Sequence, residues 1–121
     1  MNYNDLTLRY FRAAPGAGVL AHHRAGRGAA GARNLGTWVQ FDIEVGGGTI
    51  QDARYLAFGC PHTIAVAAWL VEQAIGGAAR ASLPEPVEHL ARRFEMPAAK
   101  RGRLLIIEDA WTAAMAAALR R

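Results

Sequence analysis

The sequence predicts an α+β fold: a small antiparallel β-sheet with an N-terminal helix and three C-terminal helices packed on one of its faces. Three observations carry this. Residues 37–45 alternate Val39, Phe41, Ile43 and Val45 with Gln40, Asp42 and Glu44, the period-2 pattern of a half-buried strand. The triplet Gly46-Gly47-Gly48 separates it from a second extended stretch over 49–58, and the pair reads as a hairpin. After residue 60 the apolar segments are long and run at helical spacing. Strands and helices segregated along the chain argue for α+β rather than alternating α/β.

The elements follow in order. Residues 4–13 form a short helix capped by Asn4 or Asp5, with Leu6, Tyr10 and Phe11 sharing a face, and Ala14-Pro15-Gly16 breaks it. Residues 16–36 are rich in Gly and Ala with Val19 and Leu20 as the early apolar anchors, which leaves a loop or a weak edge strand. In strand 37–45 the alternation sends Asp42 and Glu44 towards solvent. In strand 49–58 it is imperfect, because Ile50, Leu56 and Phe58 share a parity with Asp52 and Arg54. Residues 62–75 are apolar all round, so their helix is buried on most sides. Pro61 suits its first position and Gly76-Gly77 its stop. Ser82 is a candidate cap for a helix over 84–95, with Val87, Leu90, Ala91 and Phe94 on one face and Met96-Pro97 ending it. The last helix, 104–119, lines up Leu104, Ile107, Trp111, Met115 and Leu119. No repeat or linker divides the chain, so residues 1–121 read as one domain.

Composition narrows the classes. With 121 residues, 52% of them hydrophobic and 20% charged, the chain can bury a real core. Its single cysteine, Cys60, excludes an intramolecular disulfide framework. No apolar run approaches the roughly 18 residues of a membrane span, and the N-terminus lacks the apolar core of a secretory signal. A small cytoplasmic domain is expected. The net charge of +4 comes from 14 basic residues of which only Lys100 is lysine. In so alanine-rich a chain this arginine bias reflects base composition, so it is weak grounds for nucleic-acid binding. Basic patches interleaved with exposed aromatics are missing, and an acidic protein partner fits the basic ends of the chain better.

One residue stands out. Cys60 lies where a strand gives way to a helix, between Gly59 and Pro61. A thiol at a helix N-terminus is stabilised as thiolate by free N–H groups and the helix dipole. Thiolate is the form that ligates metals, accepts sulfur or attacks electrophiles. His62 is two residues on and can face the same spot. A free cysteine is also commonly a small buried hydrophobe, and the local sequence leaves both readings open. His22-His23 read as solvated loop and His89 as surface. Trp38, Trp69 and Trp111 read as core or rim, and Glu108-Asp109 point about 100° apart on a helix and form no dyad. No phosphate loop, dinucleotide fingerprint or nucleophile elbow is present.

The segment Asp52-Ala53-Arg54-Tyr55 through Phe58-Gly59-Cys60-Pro61-His62-Thr63-Ile64-Ala65 resembles the NifU/IscU family of iron–sulfur cluster scaffolds. That family's strand reads roughly D-A-[RK]-[FY]-x-x-[FY]-G-C ahead of a helix of small residues. Tyr10 to Leu20 is loosely similar to the family's first helix and the loop after it, and strand 37–45 to its first long strand. Met96-Pro97-Ala98-Ala99-Lys100 resembles the family's L-P-P-V-K chaperone-docking segment, with Ala98-Ala99 in place of P-V, and Glu108-Asp109-Ala110 matches its E-D-A. The resemblance implies a SufE/NifU-like fold over nearly the whole chain. The family's function rests on three cysteines. By this alignment the first falls at about Leu35, with its following Asp at Thr37, and the third at Arg103, with its preceding His at Gly102. Only Cys60 remains, whereas a [2Fe–2S] cluster takes four such ligands.

The resemblance therefore implies an iron–sulfur assembly scaffold or carrier that binds iron or a cluster through Cys60. His62, a second protomer or a partner such as glutathione would complete the ligation, and mononuclear iron or zinc is a weaker form of the same idea. A second reading is a single-cysteine sulfur-transfer protein of the SufE kind. A third is a partner of the assembly machinery that binds no metal. In each the protein is a carrier or platform rather than an enzyme. Its expected partners are a cysteine desulfurase and assembly chaperones docking on Met96, Pro97 and Lys100, and a homodimer would double the thiolate count.

Overall fold

The computed structural model describes residues 2–121. Within them run α1 (Asp5–Ala13), β1 (Gly26–Ala32), β2 (Thr37–Gly46), β3 (Thr49–Phe58), α2 (Pro61–Ala74), α3 (Val87–Arg93) and α4 (Arg101–Leu119). Short 3-10 turns cover Arg33–Leu35 and Ala98–Lys100. The strands make one antiparallel sheet in the order β1-β2-β3. Val39, Phe41, Ile43, Ala53 and Tyr55 on its inner face share a single core with α2 and α4. The expected α+β fold, with its hairpin and its helical second half, is the fold observed.

Local chemistry explains the boundaries. Asn4 caps α1, its Oδ1 accepting from the Thr7 N–H at 2.9 Å. The hairpin turns on Gly47 (φ 61°) and Gly48 (φ 75°), a two-residue connection in which both positions need positive φ. The uneven alternation of β3 has a geometric cause. Glu44 pairs with Asp52 but Val45 pairs with Ile50, so Gln51 is an extra residue bulged out of register. The bulge switches parity, so Ile50, Ala53 and Tyr55 all point inward while Leu56 and Phe58 face out.

The open question about residues 16–36 resolves in two parts. Residues 26–32 are an edge strand, and their poverty in β-formers has a packing reason. A Cβ on Gly26 would lie 2.1 Å from the backbone N of Ala118, and one on Gly28 would lie 2.2 Å from that of Ala114. α4 sits directly on the β1 backbone, so β1 is chosen for closeness rather than for propensity. The preceding segment pairs at Ala17 with Tyr55 and covers the far edge of β3.

Three expectations are corrected. Asp42 does not face solvent: it is 1% exposed. It accepts from Arg27 Nε and Nη2 at 2.8 and 2.9 Å and from the Leu20 N–H at 2.9 Å. The carboxylate is buried because the segment before β1 folds back over the outer sheet face. Ser82 caps nothing, since α3 begins only at Val87 behind Pro86, whose carbonyl accepts from His89 and Leu90 N–H. α4 starts three residues earlier than its apolar stripe, because the turn at Ala98–Lys100 runs straight into it.

Candidate functional site

Cys60 is the N-cap of α2, extended at φ −74° and ψ 167°, with Pro61 at the first helical position. Gly59 has no positive φ, and a Cβ there would sit 3.2 Å from the Thr63 side chain, a tight contact that Thr63 would have to yield to. That side chain is the one that reaches the thiol, with Thr63 Oγ1 3.6 Å from Cys60 Sγ. The thiol is half-buried.

Lys100, forty residues away in sequence, completes the site. Its side chain is only 8% exposed. Its ammonium donates to His62 Nδ1 at 3.1 Å, to the Tyr3 hydroxyl at 3.4 Å and to Cys60 Sγ at 3.7 Å. It also stands 4.9 Å from the centroid of the Tyr3 ring, which packs edge-on against His62 at 4.7 Å. A buried ammonium needs an anion. Among the described residues Lys100 forms no ion pair with a carboxylate, and the group at hand that can carry negative charge is the Cys60 sulfur.

The electrostatics agree. Burial pushes the Cys60 thiol up, but the Thr63 N–H and hydroxyl, the Lys100 charge and the His62 N–H outweigh it and leave the thiol below its ordinary value of 9.0. His62 is held below 6.5, first by burial and then by the Lys100 and Arg103 charges, against the opposing Phe94 carbonyl. It is therefore a neutral ring whose Nδ1 accepts from Lys100. Its Nε2 is buried with no hydrogen-bond partner. Because the folded His62 resists protonation, its contribution is complete above the unfolded value near 6.5 and is lost as pH falls below it. His62→Phe should flatten the decline in urea midpoint between pH 7 and pH 5. An unchanged decline would mean that other groups set it.

Losing the Lys100 charge should be felt at the sulfur. A charge-assisted hydrogen bond contributes about 1.5 kcal/mol, so Lys100→Met should slow iodoacetamide alkylation of Cys60 at pH 7 roughly tenfold. An equal rate in both proteins would show that the ammonium does not stabilise the thiolate.

The other residues singled out by sequence fall as follows. Cys60 and His62 are indeed neighbours. Lys100, expected on a docking surface, instead turns inward to them. Met96 is buried, its side chain in the core, whereas Pro97 is exposed. Leu35 is 81% exposed and Thr37 is buried. His22, His23 and His89 are all exposed, and the two loop carbonyls of His22 and His23 accept from Arg121. Sequence reasoning missed the roles of Tyr3 and Lys100. The available signal was that Lys100 is the one lysine in a chain with 14 basic residues.

The chain matches the family described as NifU-like N terminal domain over residues 2–121. It belongs to that family. Among solved structures it is similar to a nitrogen-fixing NifU-like protein (N-terminal) from Brucella abortus, at 15% identity and TM-score 0.71, covering 98% of this chain and 94% of that one. It is also similar to a protein from Fervidobacterium islandicum AW-1 described as a candidate iron–sulfur cluster assembly scaffold for the SUF system. There the identity is 15% and the TM-score 0.66, with 96% of each chain covered. These likenesses establish the shared fold. No curated protein matches the chain.

NifU-like domains are associated with iron–sulfur clusters or iron. The residues present here do not fit such a group. Among the described residues no three His, Cys, Asp or Glu side chains gather where they could hold a metal ion. Of the expected pair of ligands, Cys60 is in contact with an ammonium and His62 has its Nδ1 taken by the same ammonium. The expected ligation through Cys60, completed by His62, a second protomer or a partner, would have to displace that ammonium. No helix among the described residues is long and apolar enough to cross a membrane.

Proposed function

We propose that this NifU-like protein accepts sulfane sulfur on Cys60 and passes it on within iron–sulfur cluster assembly, as a carrier rather than a scaffold or an enzyme. The observation that carries this is the Lys100 ammonium 3.7 Å from a half-buried sulfur at a helix N-terminus. It is an arrangement that stabilises a nucleophilic thiolate, and among the described residues no three His, Cys, Asp or Glu side chains gather around it. The reaction needs no outside oxidant. The Cys60 thiolate attacks the terminal sulfur of a donor cysteine persulfide, a new S–S bond forms, and the donor leaves as its thiolate. The product on Cys60 is a hydrodisulfide anion, and the same ammonium faces its charge. A cysteine desulfurase is the donor that the family relationship suggests. The exposed turn at Pro97–Ala99, immediately before Lys100, is where we place the docking of a partner.

The test is intact-protein mass spectrometry after incubation with a cysteine desulfurase and cysteine. The expected result is one sulfur atom (about +32 Da) on the wild-type chain, removed by reductant and absent from Cys60→Ser. An unmodified wild-type chain under conditions that load a known acceptor would overturn the proposal. It would leave pure partner binding as the role of the fold.

A further inference from the structure

At the opposite end of α2 from Cys60, about 20 Å along the helix axis, lies a cavity of about 180 Å3. Its walls come from Gln73 and Ala74 at the end of α2, from Ile50 of β3 and from residues 80–84 on the way to α3. Trp111 of α4 forms its floor, for it lines the cavity and is itself 0% exposed. The indole N–H of Trp111 is buried and meets no acceptor among the described residues. Indole can only donate, and a buried donor left unmet is destabilising. The remaining polar side chains of the lining are Arg80, Ser82 and Gln73, and no Asp or Glu is among them. Arg80 is exposed at the rim and forms no ion pair among the described residues. Residues 80–85 make no main-chain hydrogen bond among the described residues. Buried Leu83 and the Glu85–Arg93 pair hold that wall in place.

We propose that this cavity binds a short organic acid, with its carboxylate on Arg80 at the rim and a neutral acceptor oxygen on the Trp111 N–H at the floor. A guanidinium takes a carboxylate through two parallel N–H bonds, and no acidic side chain of the lining competes for Arg80. Ile50, Leu83 and the Trp111 ring give a short carbon chain its apolar cover. The floor selects what the far end carries. A donor-only indole rejects an amine or an ammonium there. A second carboxylate would be a buried charge met by a single N–H, which is costly, so a ketone or hydroxyl oxygen is favoured over a diacid. Size sets the length. A cavity of roughly 150 Å3 takes one benzene ring, so about seven or eight heavy atoms fit here. Because the guanidinium is at the rim and the indole at the floor, the two oxygen groups belong at opposite ends of the ligand, as in a five-carbon 4-oxo acid.

The indole N–H is its own reporter. The full chain labelled with 15N gives one indole signal for each of Trp38, Trp69 and Trp111, assigned by elimination with Trp38→Phe and Trp69→Phe. It would be titrated at constant pH with 4-oxopentanoate, with pentanoate, which lacks the second acceptor, and with succinate, which replaces the ketone by a carboxylate at equal heavy-atom count. 4-Oxopentanoate should shift the Trp111 signal saturably, in the millimolar range or tighter. Pentanoate should bind about tenfold more weakly, the worth of one hydrogen bond to a buried donor. Succinate should leave the signal in place. Arg80→Gln should weaken 4-oxopentanoate binding at least about tenfold. Arg80 is exposed, so that variant keeps its fold, which unmoved Trp38 and Trp69 signals would verify. A Trp111 signal that stays put with 4-oxopentanoate would overturn the proposal. So would a shift by succinate as strong as that by the oxo acid, or binding that is indifferent to Arg80→Gln. Cys60→Ser should bind the acid as wild type does, so this site and sulfur acceptance on Cys60 stand or fall separately.

Discussion

Gly28→Ala should cost about 3 kcal/mol of folding stability, and Gly28→Val more, although the first adds a single methyl group. The reason is what that group would meet. Its position lies 2.2 Å from Ala114 N, 2.7 Å from Ala110 O and 2.7 Å from Ala113 C, all backbone atoms of α4. Nothing there can swing aside as a flexible side chain would. α4 itself must rise from the sheet, and with it Trp111, which packs edge-on against Phe41 at a centroid distance of 5.0 Å in the middle of the core. Interiors packed at crystal density do not absorb such a displacement. Gly47→Ala is the control. It has open space around it but a φ of 61°, so it should cost only about 1 kcal/mol of backbone strain. Urea unfolding of the two variants separates contact from torsion. A Gly28→Ala midpoint equal to wild type would mean that α4 does not rest on β1.

The same contact explains what the sequence withheld. β2, the hairpin turn, α2 and α4 were legible because each carries its own period or its own glycines. β1 carries neither. Its Gly26 and Gly28 are answered by Ala114 and Ala118 at the other end of the chain, so its signal is distributed over two distant segments. Asp42 was misread for a related reason: alternation tells which face a residue is on, but not that residues 16–25 fold back to cover that face. At the site, Cys60 and His62 were legible because strand end, cap and helix start are consecutive. Tyr3 lies just before α1 and Lys100 just before α4, and nothing local reveals that they meet. The family resemblance placed Lys100 in a docking segment, and it is the packing of Met96 and the turn after it that swings the ammonium inward.

Arg27→Met tests the covered face. Arg27 Nε and Nη2 reach the two oxygens of Asp42 at 2.8 and 2.9 Å, one oxygen also accepts from the Leu20 N–H, and the carboxylate itself is 1% exposed. Removing the guanidinium leaves a buried carboxylate held chiefly by one N–H, with Gln40 at 3.5 Å. Breaking a fully buried pair costs about 3–5 kcal/mol. The Arg27 side chain is 41% exposed, so solvent already screens the pair and the expected loss at pH 7 is nearer 2–3 kcal/mol. The pH dependence separates charge from packing. Burial pushes Asp42 up, but Arg27 and the Leu20 N–H hold it below 3.8. Its stabilisation is thus present above that value and is lost as pH falls through the folded one. In Arg27→Met burial should win, and the carboxyl can protonate instead of staying charged. The gap between the proteins should therefore be widest near neutrality and shrink towards pH 4. A gap of the same size at pH 7 and pH 4 would assign the effect to the packing of the arginine stem. The pair ties β1 through Arg27, β2 through Asp42 and the preceding segment through Leu20. That segment also pairs with Tyr55 along β3, so one buried carboxylate links both edges of the sheet from whose end Cys60 projects.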